Sequence, residues 1–268
     1  MIEVRGLVHV YPDGTRAVDG VHLRIGDGEQ IAIIGQNGSG KSTLVRHFNG
    51  LLRPTLGEVL IDGQLTASLR VAALAANVGL AFQDPDRQIF AGQVRTEVAF
   101  GPHNLGLRSA ALETAVTKAL DAVGLTEQGE RNPYDLGFSN RKLLALASIL
   151  AMGTPTVVLD EPTTGQDLRG VERVRRIVAD LAAAGRTVVA ISHDMRFVAE
   201  AFPRVVVMRA GRVILDGTPG EVFAEANWGA LAGTYVEPQL ASRVGVRLGL
   251  GSTPTDAALI EALVKRPG

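Results

Sequence analysis

The sequence predicts an α/β fold, with a smaller antiparallel β unit at one end, a helical insert in the middle and a short helical module at the other end. Three observations predict it. First, Ile31-Ala32-Ile33-Ile34, Thr156-Val157-Val158-Leu159 and the segment 186–192 are short apolar runs of the kind that fill strands buried on both faces. Second, helical spacing fills much of the chain between them, above all residues 84–151. Third, the first apolar run leads directly into Gly35-Gln36-Asn37-Gly38-Ser39-Gly40-Lys41-Ser42-Thr43, a glycine-rich turn that opens a helix.

Gly35, Gly40, Lys41 and Ser42 fit G-x-x-x-x-G-K-[ST], the phosphate-binding loop of P-loop NTPases. Backbone N–H groups surround a phosphate only where side chains are absent, hence the glycines. The helix that follows adds the positive end of its dipole. Lys41 would reach the β- and γ-phosphates, and the Ser42 hydroxyl would ligate Mg²⁺.

Composition bounds the rest. A chain of 268 residues can bury a sizeable core. The formal net charge of -1 gives no global basic field, so no nucleic-acid partner is expected. Without cysteine, disulfides, thiolate catalysis and cysteine metal sites are excluded. The opening segment MIEVRGLVHVY alternates and carries charges, unlike a signal peptide. No run of about 18 apolar residues without charge occurs, so no membrane-spanning helix is expected. Lysines are scarce: Lys41, Lys118, Lys142 and Lys265 are the only ones, and one of them lies in the phosphate loop.

In chain order, residues 2–11 and 17–25 read as strands joined by the turn Pro12-Asp13-Gly14. Tyr11 reads from its spacing as a half-buried strand aromatic; the alternative is a ring stacked on adenine. Residues 41–51 form a helix that Arg53-Pro54 ends, 57–63 a strand, and 78–82 a short buried strand running into the polar loop Gln83-Asp84-Pro85. Leu112, Ala115, Val116, Ala119, Leu120 and Val123 share one helical face that Gly124 ends. A second helix starts near Ser139, a candidate N-cap.

Asp160 and Glu161 are adjacent carboxylates at the end of an apolar strand, costly unless solvated, paired or on a metal. Asp160 would complete the Mg²⁺ site. Glu161 would point the other way, towards a γ-phosphate, if the strand continues. Residues 168–184 form an amphipathic helix. His193 follows the third apolar strand with a polar end, which makes a γ-phosphate contact credible beside a purely structural role. Residues 205–208 and 212–216 read as an edge hairpin around Ala210-Gly211, and 218–226 starts a helix with Pro219 in its first turn. Residues 238–248 and 255–264 read as short helices, with Thr255 an N-cap. The organisation expected is one domain over 1–226, with a helical subdomain at about 84–151, and a small helical module over 227–268.

The order of Tyr11, GQNGSGKS at 35–42, Gln83, a helical insert, a helix start near Leu136, VVLDEP at 157–162, Asp167 and His193 resembles the nucleotide-binding subunit of ABC transporters over residues 1–225. FQDPDRQIF at 82–90, VAFGPHNLGL at 98–107, DEPTTGQD at 160–167 and the tail VEPQLASRVGVRLGL look similar to the ATPases of energy-coupling-factor (ECF) importers of vitamins and metal ions. The resemblance implies a P-loop NTPase core of ABC type that binds ATP and Mg²⁺. It implies that Tyr11 stacks on adenine, Gln83 senses Mg²⁺ and water, Glu161 polarises the attacking water, His193 holds the γ-phosphate and Asp167 crosses a dimer interface. It further implies a second ABC ATPase, a transmembrane coupling subunit, a solute-binding membrane subunit, and a peripheral place on the cytoplasmic face of the cell membrane.

One segment departs from that pattern. The family signature is LSGGQ, which meets the γ-phosphate of the partner's ATP. Here Leu136-Gly137-Phe138-Ser139-Asn140 stands in its place, and Leu143 stands where an Arg usually follows. The economical expectation is a heterodimer with a second ATPase whose signature is intact. The alternative is that Ser139 caps its helix and still brings donors to phosphate after a small register change. Rival functions are the ATPase of another ABC transporter class, a soluble ABC-type ATPase acting on nucleic acid or ribosomes, a P-loop kinase, and a non-hydrolysing regulatory subunit. Glu161 argues against the last, and Phe138 partly for it.

Overall fold

The computed structural model describes residues 1–234 and 236–265; Tyr235 and residues 266–268 of the expected C-terminal module lie outside the described residues. The elements run β1 (Ile2–Val10), β2 (Arg16–Ile25), β3 (Gln30–Ile34), α1 (Lys41–Arg46), β4 (Leu56–Ile61), β5 (Gln64–Leu65), α2 (Val71–Ala75), β6 (Val78–Ala81), α3 (Val94–Asn104), α4 (Ser109–Val123), α5 (Phe138–Met152), β7 (Thr156–Asp160), α6 (Leu168–Ala183), β8 (Thr187–Ile191), α7 (Met195–Ala201), β9 (Arg204–Arg209), β10 (Arg212–Gly217), α8 (Pro219–Val222), α9 (Trp228–Ala232), α10 (Leu240–Arg247) and α11 (Asp256–Val264).

Two sheets carry the fold. The larger has six strands in the order β10-β9-β3-β8-β7-β6, parallel except for the β9–β10 hairpin. The smaller has four antiparallel strands in the order β2-β1-β4-β5. Alternate residues of β3 serve two cores: Ile31 and Ile33 pack with β1, β2 and α1, while Ala32 and Ile34 pack with the helices of the opposite face. That double burial is why the strand reads as an unbroken apolar run.

Register places the site. Ile33 pairs with Ile191, Asp160 also pairs with Ile191, and Leu159 pairs with Ala81. The C-terminal ends of β3, β8, β7 and β6 are therefore level, and the chain segments leaving them emerge along one edge. Ligand sites of open α/β sheets form at that edge.

Helix α4 and its stop match expectation. Val116, Ala119, Leu120 and Val123 are buried, and Gly124 takes the left-handed conformation at φ 68°. Other boundaries differ. Helix α1 ends at Arg46, not near residue 51, because i→i−3 bonds from His47 and Phe48 tighten the chain into a turn that Gly50 completes at φ 73°. Helix α5 starts at Phe138 with Gly137 at the cap position. Ser139 is no cap: its hydroxyl donates to Gln166 Oε1 at 2.7 Å, a tertiary partner that displaces the local one. Helix α8 stops at Val222 after a capping box between Thr218 and Glu221. Ala210 and Gly211 both have positive φ, as a two-residue hairpin turn requires, but only β10 is an edge strand, since β9 also pairs with β3. Thr255 caps α11 as expected, accepting from the Ala258 N–H. Leu231 and Val236 join the main core, so the C-terminal helices begin on the same packed surface as α7 and β9.

Candidate functional site

The loop after β3 is held by its own chain before any ligand is considered. A Cβ at Gly35 would lie 2.1 Å from the Met208 carbonyl oxygen, and one at Gly40 would lie 2.2 Å from that of Ala17. Both positions also have positive φ, at 141° and 98°. Backbone packing against β9 and β2 thus fixes these two glycines, whereas Gly38 faces open space at φ 78°. Positive φ alone accounts for Gly38; close backbone approach adds to it at the other two.

Lys41 is buried, and its Nζ donates to the carbonyls of Gly35 at 2.6 Å and Gln36 at 2.8 Å. Burial pushes its pKa down, opposed by the charges of Glu161 and Asp160. Ser42 Oγ donates to Asp160 Oδ1 at 3.3 Å. Asp160 is 4% exposed, and burial raises its pKa against the pull of Ser42, Arg46 and Lys41. Among the described residues no three His, Cys, Asp or Glu side chains cluster as a self-contained metal site. The Ser42 hydroxyl and the Asp160 carboxylate bonded to it are a hard oxygen set, and Ser42 shares the cavity with Gln83. That set suits Mg²⁺, which keeps waters and phosphate oxygens among its ligands.

Glu161 does not continue the strand. It turns into the left-handed region at φ 54°, and its N–H donates to the Ile191 carbonyl at 2.9 Å. The side chain is 4% exposed. Its Oε2 accepts from the His193 N–H and the Thr164 hydroxyl, each at 3.3 Å. Its Oε1 has no hydrogen-bond partner; His193 Nε2 stands 3.1 Å away without the alignment a hydrogen bond needs. Burial raises the Glu161 pKa, and burial together with Lys41 lowers that of His193. Both shifts disfavour the charged forms, that of the Glu161 carboxyl and that of the His193 imidazole.

A cavity of about 200 Å³ collects Asn37, Gly38, Gly40, Lys41, Ser42, Thr43, Gln83, Glu161 and His193. Tyr11 joins its rim through Thr43, whose Oγ1 is 3.0 Å from the phenol oxygen. The ring is half-buried and meets His9 edge-on at 4.7 Å. Residues 136–140 and Asp167 are not in this cavity. Phe138 is exposed with its ring leaning over Gly165, Ser139 and Gln166 bond each other, and Asp167 caps α6 by accepting from the Gly170 N–H at 2.7 Å.

Sequence reasoning missed three contributors. Thr164 supports Glu161. His47 is fully buried in the turn after α1, bonded to the Thr43 carbonyl at 2.8 Å and to His9 at 3.1 Å, and burial lowers its pKa. Lys142 is buried and donates to the Glu161 and Thr164 carbonyls. The scarcity of lysine was a signal for Lys142; nothing in the local pattern marks the other two.

A family model described as "ABC transporter" matches residues 18–164. The chain is 43% identical over 228 residues to the energy-coupling factor transporter ATP-binding protein EcfA of Methanothermobacter thermautotrophicus, covering 84% of this chain and 73% of that protein. Among solved structures it is similar to cbiO1 from Clostridium perfringens, described as part of the ABC transporter complex cbiONQ. The TM-score is 0.76 at 35% identity, over 92% of this chain and 95% of that one. It is also similar to a dimeric ATP-binding cassette in a post-hydrolysis state bound to ADP and Pi, with TM-score 0.76 at 26% identity, over 81% and 98% of the two chains.

Proposed function

The chain belongs to the ABC transporter family, and from that premise we propose that it is the ATP-binding and hydrolysing subunit of an ECF-type importer of a vitamin or metal ion. The observation that carries the reading is the convergence of Lys41, Ser42, Glu161, Gln83 and His193 on one cavity from four level strand ends, with Asp160 bonded to Ser42 behind it. The EcfA and cbiO1 names support the ECF type.

Each residue then has a task. Mg²⁺, when bound with ATP, neutralises charge on the phosphates. Lys41 exchanges the Gly35 and Gln36 carbonyls for β- and γ-phosphate oxygens. Ser42 and Asp160 would hold the metal, and Gln83, on the same cavity as Ser42, would sense metal and water. Glu161 Oε1, buried and without a partner, accepts a hydrogen bond from the attacking water. Neutral His193 donates to the γ-phosphate. Tyr11 stacks on adenine from the rim. Gln83 stands at the head of the 82–90 segment that faces a transmembrane coupling subunit, with a solute-binding membrane subunit beyond it. The ATPase itself then sits on the cytoplasmic face of the membrane; no described helix is long and apolar enough to cross it.

Pairing follows from residues 136–140. In the sandwich arrangement each ATP lies between one chain's phosphate loop and the other's signature, with Asp167 at the interface. Phe138 would stand against the partner's ATP, so the reading favours a heterodimer with a second ATPase of intact signature. A second reading has its own observation: α5 carries no side-chain cap, and Phe138 leans back on Gly165, so the first N–H groups of α5 can still face a phosphate in a homodimer. Purification of the chain with its partners in detergent tests all of this. Membrane subunits, a second ATPase and ATP hydrolysis are expected; co-purifying RNA or ribosomes would overturn the transport reading in favour of a soluble ATPase.

A further inference from the structure

We propose that Lys142 is a positioning residue for Glu161, and that it ties the first turns of α5 to the carboxylate that polarises water. The proposal rests on the ATPase reading above and adds to it a residue outside the nucleotide cavity.

The geometry has three parts. Lys142 lies on α5, four residues after Phe138, and is 7% exposed. Its Nζ donates to the carbonyl of Glu161, donates to that of Thr164 at 3.1 Å, and stands 5.9 Å from the centre of the Phe138 ring. No carboxylate pairs with it within 4 Å among the described residues. A buried ammonium with this environment is costly, so its donating to two carbonyls of one turn with a ring under it is a specific arrangement.

The turn it holds needs holding. Glu161 bears a side chain at φ 54°, a conformation that persists only where the surroundings impose it. Three bonds impose it: Glu161 N–H to Ile191, Thr164 N–H to the Glu161 carbonyl at 3.3 Å, and the ammonium of Lys142 to that same carbonyl. Lys142 supplies the one that is charge-assisted. Without it, the peptide after Glu161 can rotate and carry the carboxylate off the water it must meet. The same ammonium lies over the ring of Phe138, 5.9 Å from its centre. In a paired sandwich, a displacement of α5 against the opposite ATP would therefore reach Glu161 on this chain's own site.

A bland alternative is that Lys142 merely stabilises the fold. A double-mutant cycle in the assembled transporter separates the two. Lys142→Met is expected to lower kcat about ten-fold or more, since a misplacement of about 1 Å costs on the order of a hundred-fold, while KM for ATP stays within about two-fold. In a Glu161→Gln background, measured by single turnover, the same change is expected to have no further effect. Lys142→Arg, which can donate to two carbonyls, is expected to restore part of kcat. Wild-type kcat in Lys142→Met, or an equal loss in both backgrounds, overturns the proposal. If Lys142→Met does not assemble, Lys142→Gln, which keeps donors but not the charge, is put through the same cycle with the same deciding outcomes. Failure of the ATPase reading looks different: the wild-type complex would not hydrolyse ATP at all.

Discussion

The cavity at the phosphate loop and the segment at residues 136–140, which the proposed function makes two halves of nucleotide sites carried by one chain, are built in opposite ways. In the first, charged groups are buried and aimed: Lys41, Asp160 and Glu161 are all buried where the chain leaves β3 and β7. In the second, Phe138 is exposed, and its neighbours Ser139 and Gln166 spend their polar groups on each other. Burial raises the stakes of every polar contact, so the first half depends on each of its residues. The second half presents backbone and an apolar ring to whatever lies across from it. The difference is what one expects of a chain whose own phosphate loop is completed by a partner but which completes the partner's less well.

The largest expected effect tests the first half. Lys41→Ala should weaken ATP binding and reduce turnover of the assembled complex to background, because among the described residues no other Lys or Arg lines that cavity. Nucleotide binding and phosphate release are the measurements, and normal release in a folded complex would remove the site assignment. Next is Glu161→Gln, which keeps the shape but cannot take a proton. Hydrolysis should slow on the order of 10²–10⁴-fold with ATP still bound; a single-turnover rate within a few-fold of wild type would exclude Glu161 as the water-activating group.

Phe138→Gly addresses the second half and could break the comparison. If Phe138 keeps backbone donors from the opposite γ-phosphate, restoring glycine returns charge-assisted bonds of about 1.5–3 kcal/mol each. Turnover at that site should then rise roughly ten- to a hundred-fold. An unchanged rate, together with an ATP-driven homodimer of this chain alone, would make the two halves equal.

The smallest effect is on stability. Burial raises the Glu161 pKa, so its ionised form is the costly one in the fold. The stability tied to its protonated form is fully present below the unfolded pKa and is lost as pH rises through the folded value. At neutral pH without nucleotide, Glu161→Gln should therefore melt higher than wild type by a few degrees. The gap should close as pH falls below the ordinary carboxylate range. Phe138→Gly, at an exposed position, should show no such pH-dependent gap. Thermal melts across pH separate the two halves by this criterion.

Much of this was legible in the residues. The apolar runs gave β3, β7 and β8 because strands buried on both faces leave a continuous hydrophobic record. The glycine-lysine-serine spacing located the loop, and Gly124 located the end of α4, because both are local backbone requirements. Ser139 misled for the complementary reason. A serine near a helix start is a good cap locally, but Gln166 competes for it from 27 residues away.

The sequence by itself therefore determined the type of fold, the order of its strands and helices, and the identity of the groups at the strand ends. Those depend on periodicity, turn chemistry and short motifs, all of which act over a few residues. Only the tertiary structure decided that Asp160 and Ile33 end their strands level with each other, since register between strands more than 100 residues apart is set by packing on both faces. It also decided why Gly35 and Gly40 must be glycine, which is the approach of Met208 and Ala17 carbonyls from distant strands. And it decided that Glu161 turns at positive φ over the ammonium of Lys142, because both that backbone conformation and that buried charge exist only once the surrounding chain supplies their partners.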